Sequence, residues 1–112
     1  MKRVHEERRV MRLEGFQKNF LRKSAQKLKP LVIVGKSGVG EPIRAALDEN
    51  LLHHELVKVK YLDFKENKDV SAGLLASQTG SALIQIIGNV AIFYRQNSDP
   101  ERRIYHLPKR DY

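Results

Sequence analysis

The chain has 112 residues, no Cys, and 21 Lys and Arg against 13 Asp and Glu, a formal net charge of +8. A length of this order fits one domain with a real core, while the absence of cysteine excludes a disulfide framework, a thiol nucleophile and a cysteine-based metal site. No apolar run approaches the ~20 residues of a membrane span, and no apolar N-terminal segment reads as a signal peptide, so a soluble cytoplasmic protein is expected.

The charge is local. Residues 1–29 hold ten Lys or Arg against three Glu, a net +7, whereas residues 30–98 hold seven of each sign and residues 99–112 carry +1. A basic N-terminal face on a neutral body suits a polyanionic partner, either nucleic acid or an anionic membrane. The same run also describes a solvated helix face.

Residues 1–12 are charged on both signs and read as a frayed helix or a disordered basic arm outside the core, with Met11 as an alternative start. From Phe16 to Lys29 the period is helical, gathering Phe16, Phe20, Leu21, Ala25 and Leu28 on one side before Pro30. Lys18, Arg22 and Lys29 then form one flanking stripe, and Lys23 and Lys27 another. Leu31-Val32-Ile33-Val34 reads as a buried strand. A second helix starts around Glu41 with Pro42 in its first turn and Ile43, Ala46, Leu47 and Leu51 toward the core. Leu56 to Leu62 alternates as a strand, Val57, Val59 and Tyr61 on one face and Lys58 and Lys60 on the other. After a polar turn at Lys65 to Lys68, a third helix with Val70, Leu74 and Leu75 apolar runs to about Thr79, capped by Gly80. Leu83 to Ile87 is a strand, Gly88-Asn89 a two-residue hairpin and Val90 to Arg95 the returning strand. Ile104 to Leu107 is a weak candidate edge strand. The order α-β-α-β-α-β-β predicts an α/β fold of two layers with a four-stranded mixed sheet, mostly parallel and closed by one antiparallel hairpin. The two crossover helices share one face, and the other is open or partly covered by the first helix.

The Gly35-Lys36-Ser37-Gly38 loop follows a strand and precedes a helix, which invites comparison with a phosphate-binding nucleotide loop. That motif needs a Gly five residues before Gly35, where Pro30 stands, so nucleotide chemistry lacks its cradle. What remains is a G-x-x-G turn. Its glycines allow close backbone approach, Lys36 adds a mobile charge and Ser37 a hydroxyl, the device that clamps a nucleic-acid backbone in KH domains. The His53-His54-Glu55 cluster cannot bite one metal ion, since adjacent helical residues point about 100° apart; histidines capping the helix C-terminus are the better reading. No arrangement of Ser, His, Asp or Glu supports catalysis. The eight aromatic residues include no ribonucleoprotein-type pair on a strand; Phe93 and Tyr94 are candidates to stack a base, but adjacent strand residues face opposite ways, so at least one of them is expected in the core.

Three blocks together carry a resemblance. They are Leu31 to Gly38, the stretch from His53 to Lys60, and Thr79-Gly80 followed by Gln85 to Arg95. In these the chain resembles the CRM domain family, for chloroplast RNA splicing and ribosome maturation, in its bacterial stand-alone YhbY-like form, over residues 13–108. That leaves residues 1–12 as an arm and 109–112 as a tail. The resemblance implies a fold similar to the C-terminal domain of translation initiation factor three and a non-enzymatic RNA-binding protein. Its implied partners are ribosomal RNA and precursors of the large (50S) subunit. It implies no cofactor, metal, membrane or small-molecule substrate, and a monomer is expected. It maps the RNA-binding loop onto Gly35, Lys36, Ser37 and Gly38 and the basic helix onto Lys18, Arg22, Lys23 and Lys27. Lys29, Lys58, Lys60 and Arg95 are candidates to extend the track. Two positions depart from the family: Phe16 stands where its first helix often has Lys, and Asn89 where its last hairpin commonly has a basic residue. The alternative function is a protein-interaction module whose basic helix docks on an acidic ribosomal protein or assembly factor.

Overall fold

The computed structural model describes residues 11–62 and 67–110. The first ten residues of the expected arm, the first two of the Lys65 to Lys68 turn and the last two residues of the tail lie outside that range. Three helices, α1 (Gly15–Ala25), α2 (Glu41–His54) and α3 (Lys68–Thr79), alternate with strands β1 (Val32–Val34), β2 (Leu56–Tyr61), β3 (Ala82–Ile87) and β4 (Val90–Tyr94). A short 3-10 turn follows at Pro100–Arg102.

The strands form one mixed sheet in the order β1-β2-β4-β3. β1 pairs with β2 in parallel, whereas β4 is antiparallel to both β2 and β3. The expectation of a mostly parallel sheet is therefore corrected. β1, β2 and β3 do run the same way, but β4 inserts between β2 and β3, leaving one parallel pair. The reason lies in β4 itself: Ala91 to Tyr94 are all buried, so this strand needs cover on both faces and both edges, while β3 keeps Ile87 half exposed at the sheet margin. Gly88, at φ 59°, makes the tight β3-β4 turn that only a residue tolerating the left-handed region closes without strain.

One core lies between the sheet and α2 with α3. Val32, Val34, Val57, Val59, Tyr61, Ala91 and Phe93 meet Leu47, Leu51, Ala72, Leu75 and Ala76. On the opposite face Leu21 and Ala25 of α1 cover Leu56, Ile92 and Tyr94, with Met11, Leu13, Leu28, Tyr105 and Leu107 packed around them. The second face is thus partly covered by the first helix, as expected, and also by the chain's last segment. Met11, expected outside the core, is drawn into its margin.

Three local expectations are revised. α1 stops at Ala25 instead of Lys29: Leu28 N–H donates to the Ala25 carbonyl in a closing turn, and Lys29 precedes Pro30, whose ring disfavours helical geometry in the residue before it. On α3 the buried side is Ser71, Ala72, Leu75, Ala76 and Thr79, and Val70 and Leu74 are exposed. Small residues let α3 approach the sheet closely, and hydrophobicity alone pointed to the wrong pair. Ile104 to Leu107 forms no strand. It is held by a carboxylate: Glu55 accepts N–H bonds from Ile104 (2.8 Å), Tyr105 (3.0 Å) and Asn97 (2.6 Å). Glu55 alone joins α2 to β2, and that tight connection sets its backbone at φ 65° while burying its side chain.

Candidate nucleic-acid interface

The G-x-x-G turn stands at the end of β1, beside the end of β2. Gly38 N–H donates to the Gly35 carbonyl at 3.0 Å, and Gly38 has φ 75°, so the second glycine is required by the turn itself. Gly35 is required for no such reason: a Cβ there would meet nothing within 4 Å. The bare backbone at Gly35 therefore faces open space. Lys36 and Ser37 are exposed between the two glycines. α2 begins just beyond, at Glu41, whose carboxyl is held below its usual range by its hydrogen bond to Arg44. That pairing places a cation beside the one acidic side chain of the first turn.

The candidate lysines of β2 project to the α1 side of the sheet, as alternation predicted. Lys58 is half buried, its Nζ donating to the Leu28 carbonyl at 3.0 Å, and this bond ties the turn after α1 to the sheet. Lys60, one step nearer the G-x-x-G turn, is exposed. β2 thus leads from the strand positions under α1, through Lys58 and Lys60, to the strand end beside the turn. Lys18 and Lys23 are exposed on α1, and Arg22 is partly buried with its guanidinium donating to Asn19 Oδ1. Lys27 and Lys29 are exposed but follow the end of the helix, so the two predicted stripes reduce on α1 to Lys18, Arg22 and Lys23.

Arg95 is elsewhere. It follows β4 at the sheet end opposite the G-x-x-G turn. Its Nη1 donates to Asp48 Oδ1 (2.6 Å) and the Thr79 carbonyl (2.8 Å), and its Nη2 to the Asp48 carbonyl (3.0 Å). It clasps α2 to the end of α3 and is turned away from the basic track. His53 and His54 are exposed in the last turn of α2, ring centroids 6.5 Å apart, and among the described residues no group of three potential ligands could hold a metal.

Two cations that sequence reasoning passed over lie beside Asn89 and Phe16, the two positions at which the chain departs from the pattern it resembles. Lys68 Nζ donates to the Asn89 side chain (2.7 Å) and the Gly88 carbonyl (3.0 Å), bringing a positive charge from α3 to the hairpin tip. Arg110 lies 5.4 Å from the centre of the Phe16 ring and pairs with Glu14, at the start of α1. Neither pairing had a local signal, because the partners are 21 and 94 or more residues apart in sequence. Among the described residues no helix is long and apolar enough to cross a membrane.

Several known proteins are similar to this chain. A protein of Pseudomonas aeruginosa named "Probable RNA-binding protein" is 37% identical over 101 residues, covering 88% of this chain and 96% of its own length. A Bacillus subtilis protein of the same description, YqeI, is 38% identical over 88 residues, covering 78% and 92%. A Haemophilus influenzae RNA-binding protein is 34% identical over 84 residues, covering 74% and 85%. The solution structure of a hypothetical protein of Staphylococcus aureus superposes with a TM-score of 0.73 at 33% identity, covering 87% of this chain and all of that one. The family model for the CRS1/YhbY (CRM) domain matches residues 13–95, from the residue before the α1 cap to the Arg95 clasp. The match thus takes in the three helices and four strands of the described residues and the G-x-x-G turn, and the chain belongs to the CRS1/YhbY (CRM) domain family.

Proposed function

We propose that this protein binds RNA without catalysis and acts in the cytoplasm, as a monomer, on ribosomal RNA of large-subunit (50S) precursors. It grips the RNA backbone through the G-x-x-G turn and the basic first helix. The observation that carries the reading is the turn itself: an unobstructed glycine backbone flanked by an exposed Lys36 and Ser37, at the end of a strand bearing Lys60. A phosphate oxygen can approach such a backbone closely and be met by N–H, hydroxyl and ammonium donors together. Lys18, Arg22, Lys23, Lys27, Lys29, Lys58 and Lys60 extend the positive surface, joined by Lys68 and Arg110. Arg95 is left out because its guanidinium is engaged across the fold. The names of the relatives support the RNA partner, and the resemblance to ribosome-maturation proteins supports the ribosomal one.

The test is Gly35→Asp. The site has room for the side chain, so the variant should melt within about 1 kcal/mol of the parent while placing a carboxylate where a phosphate would sit. RNA affinity should fall at least ten-fold. For the parent, neutralising about five phosphates gives a log K against log salt slope of roughly −3.5 on single strands. Unchanged affinity in the variant, or a flat salt response, would remove the turn from the interface. Recovery of the protein with nuclease-treated pre-ribosomal particles would favour docking on an acidic ribosomal protein instead.

A further inference from the structure

The sheet's α1 side is not fully covered. Counting back from the G-x-x-G end, the last register row runs across all four strands: Ile33 opposite Lys60, Lys60 opposite Val90, and Val90 opposite Ile87. All four face away from the α2-α3 core, since their strand neighbours Val32, Val59, Ala91 and Ile86 face into it. Buried Leu56, Ile92 and Tyr94 show that α1 shields the rows behind. Among the described residues no element covers the last row. Ile33 is 45% and Ile87 54% exposed, Lys60 is exposed and Val90 is partly so. At ~4.8 Å between strands the row is roughly 14 Å wide.

We infer that this row is the seat for the bases of a single-stranded RNA segment whose backbone is held by the adjoining G-x-x-G turn. The inference rests on the RNA-binding reading and names its substrate class. Charge complementarity selects the occupant: Lys60 is in the middle of the row, Lys36 follows Ile33 by three residues at one end, and Lys68 Nζ binds the Gly88 carbonyl next to Ile87 at the other. Aliphatic side chains with a cation at the centre and beyond both ends suit a ligand that is apolar in its flat groups and anionic in its backbone. A single strand presents both. An A-form duplex keeps its bases stacked inside and offers phosphates and riboses, for which three aliphatic residues have no use. Phe93 and Tyr94 are buried, so among the described residues of the row the bases meet Ile and Val side chains, which carry no hydrogen-bonding groups to read a base edge; this predicts tolerance of base identity.

The experiment compares the full chain and its variants on a fluorescein-labelled oligouridylate and on a blunt RNA duplex of equal length, by anisotropy. Ile33→Ser and Ile87→Ser should each weaken single-strand binding about five-fold and duplex binding less than two-fold. Val70→Ser, exposed on α3, should change neither. In the unmodified protein the Ile33 and Ile87 methyl resonances should shift on adding oligouridylate, a readout that survives if a variant folds poorly. Equal losses on both RNAs, no loss on the single strand, or unmoved methyl resonances would overturn the inference while leaving the G-x-x-G reading intact. Failure of the parent chain to bind either RNA would overturn both. Concentration-dependent dimerisation abolished by Ile87→Ser would show that a second copy covers the row, and would overturn the inference as well.

Discussion

Arg95 and Glu55 illustrate how a charged side chain is read wrongly when its surroundings are unknown. Both follow patterns that a sequence reading treats as surface, one in a basic track and one in a histidine-rich helix end. Arg95 is three-quarters buried against Asp48 and two carbonyls, and Glu55 fully buried against three backbone N–H groups. A charged group so placed contributes through hydrogen bonds that would otherwise be orphaned donors and acceptors. Arg95→Ala is therefore expected to lower stability by about 2–3 kcal/mol in urea titration, with RNA affinity measured at a temperature where the variant remains folded changing less than two-fold. A large affinity loss in the folded variant would return Arg95 to the interface. Nothing in the sequence near either residue announced these roles, because their partners come from α2, α3 and the last segment.

At the scale of elements, strand faces were legible and helix faces less so. The alternation in β2 has a period of two and allows one assignment, which the sheet bears out for Val57, Lys58, Val59, Lys60 and Tyr61. α3 is harder: Val70, Leu74 and Leu75 outweigh Ser71, Ala72 and Ala76 in hydrophobicity, yet close packing against the sheet and α2 chose the smaller side chains. Leu75→Ala should cost about 2–4 kcal/mol by cavity formation, while Leu74→Ala should stay within about 0.5 kcal/mol. Similar costs for the two would mean that α3 is rotated from the orientation seen. α1 shows a related effect. Its apolar period continues to Leu28, but the chain leaves the helix after Ala25 and Leu28 still reaches the second core from a turn.

The whole molecule couples its C-terminal segment to the sheet through tyrosines. Tyr94 is 1% exposed, and burial, reinforced by the Glu55 carboxylate, pushes its hydroxyl up to about 12; Tyr61 and Tyr105 are raised in the same direction, chiefly by burial. A raised tyrosine keeps its proton in the folded chain after the unfolded chain has lost it. Its stabilising contribution is complete below about pH 10 and is lost as pH climbs toward about 12. Stability should therefore fall steeply across that window, with Tyr94 contributing up to roughly 2–3 kcal/mol of the loss, and Tyr94→Phe should flatten the profile measured by denaturation at successive pH values. An equally steep profile in that variant would place the effect on other groups. The same long-range joining brings Arg110 to Phe16, so that a charge from the end of the chain stands beside the helix that carries Lys18, Arg22 and Lys23.

By itself the sequence determined the α/β class, the succession of elements, the inward and outward faces of β2, the hairpin at Gly88-Asn89 and the concentration of positive charge before Pro30. Each follows from local periodicity, from a residue's backbone preference or from counting. Only the tertiary structure decided that β4 lies between β2 and β3, that Arg95 faces inward, that Lys68 and Arg110 supply cations to the hairpin and the first helix, and that one row of strands beside the G-x-x-G turn is left uncovered. Those outcomes depend on which surfaces meet across tens of residues. Burial of β4 on both faces and the limited reach of α1 across the sheet settle them, and neither has a local signature.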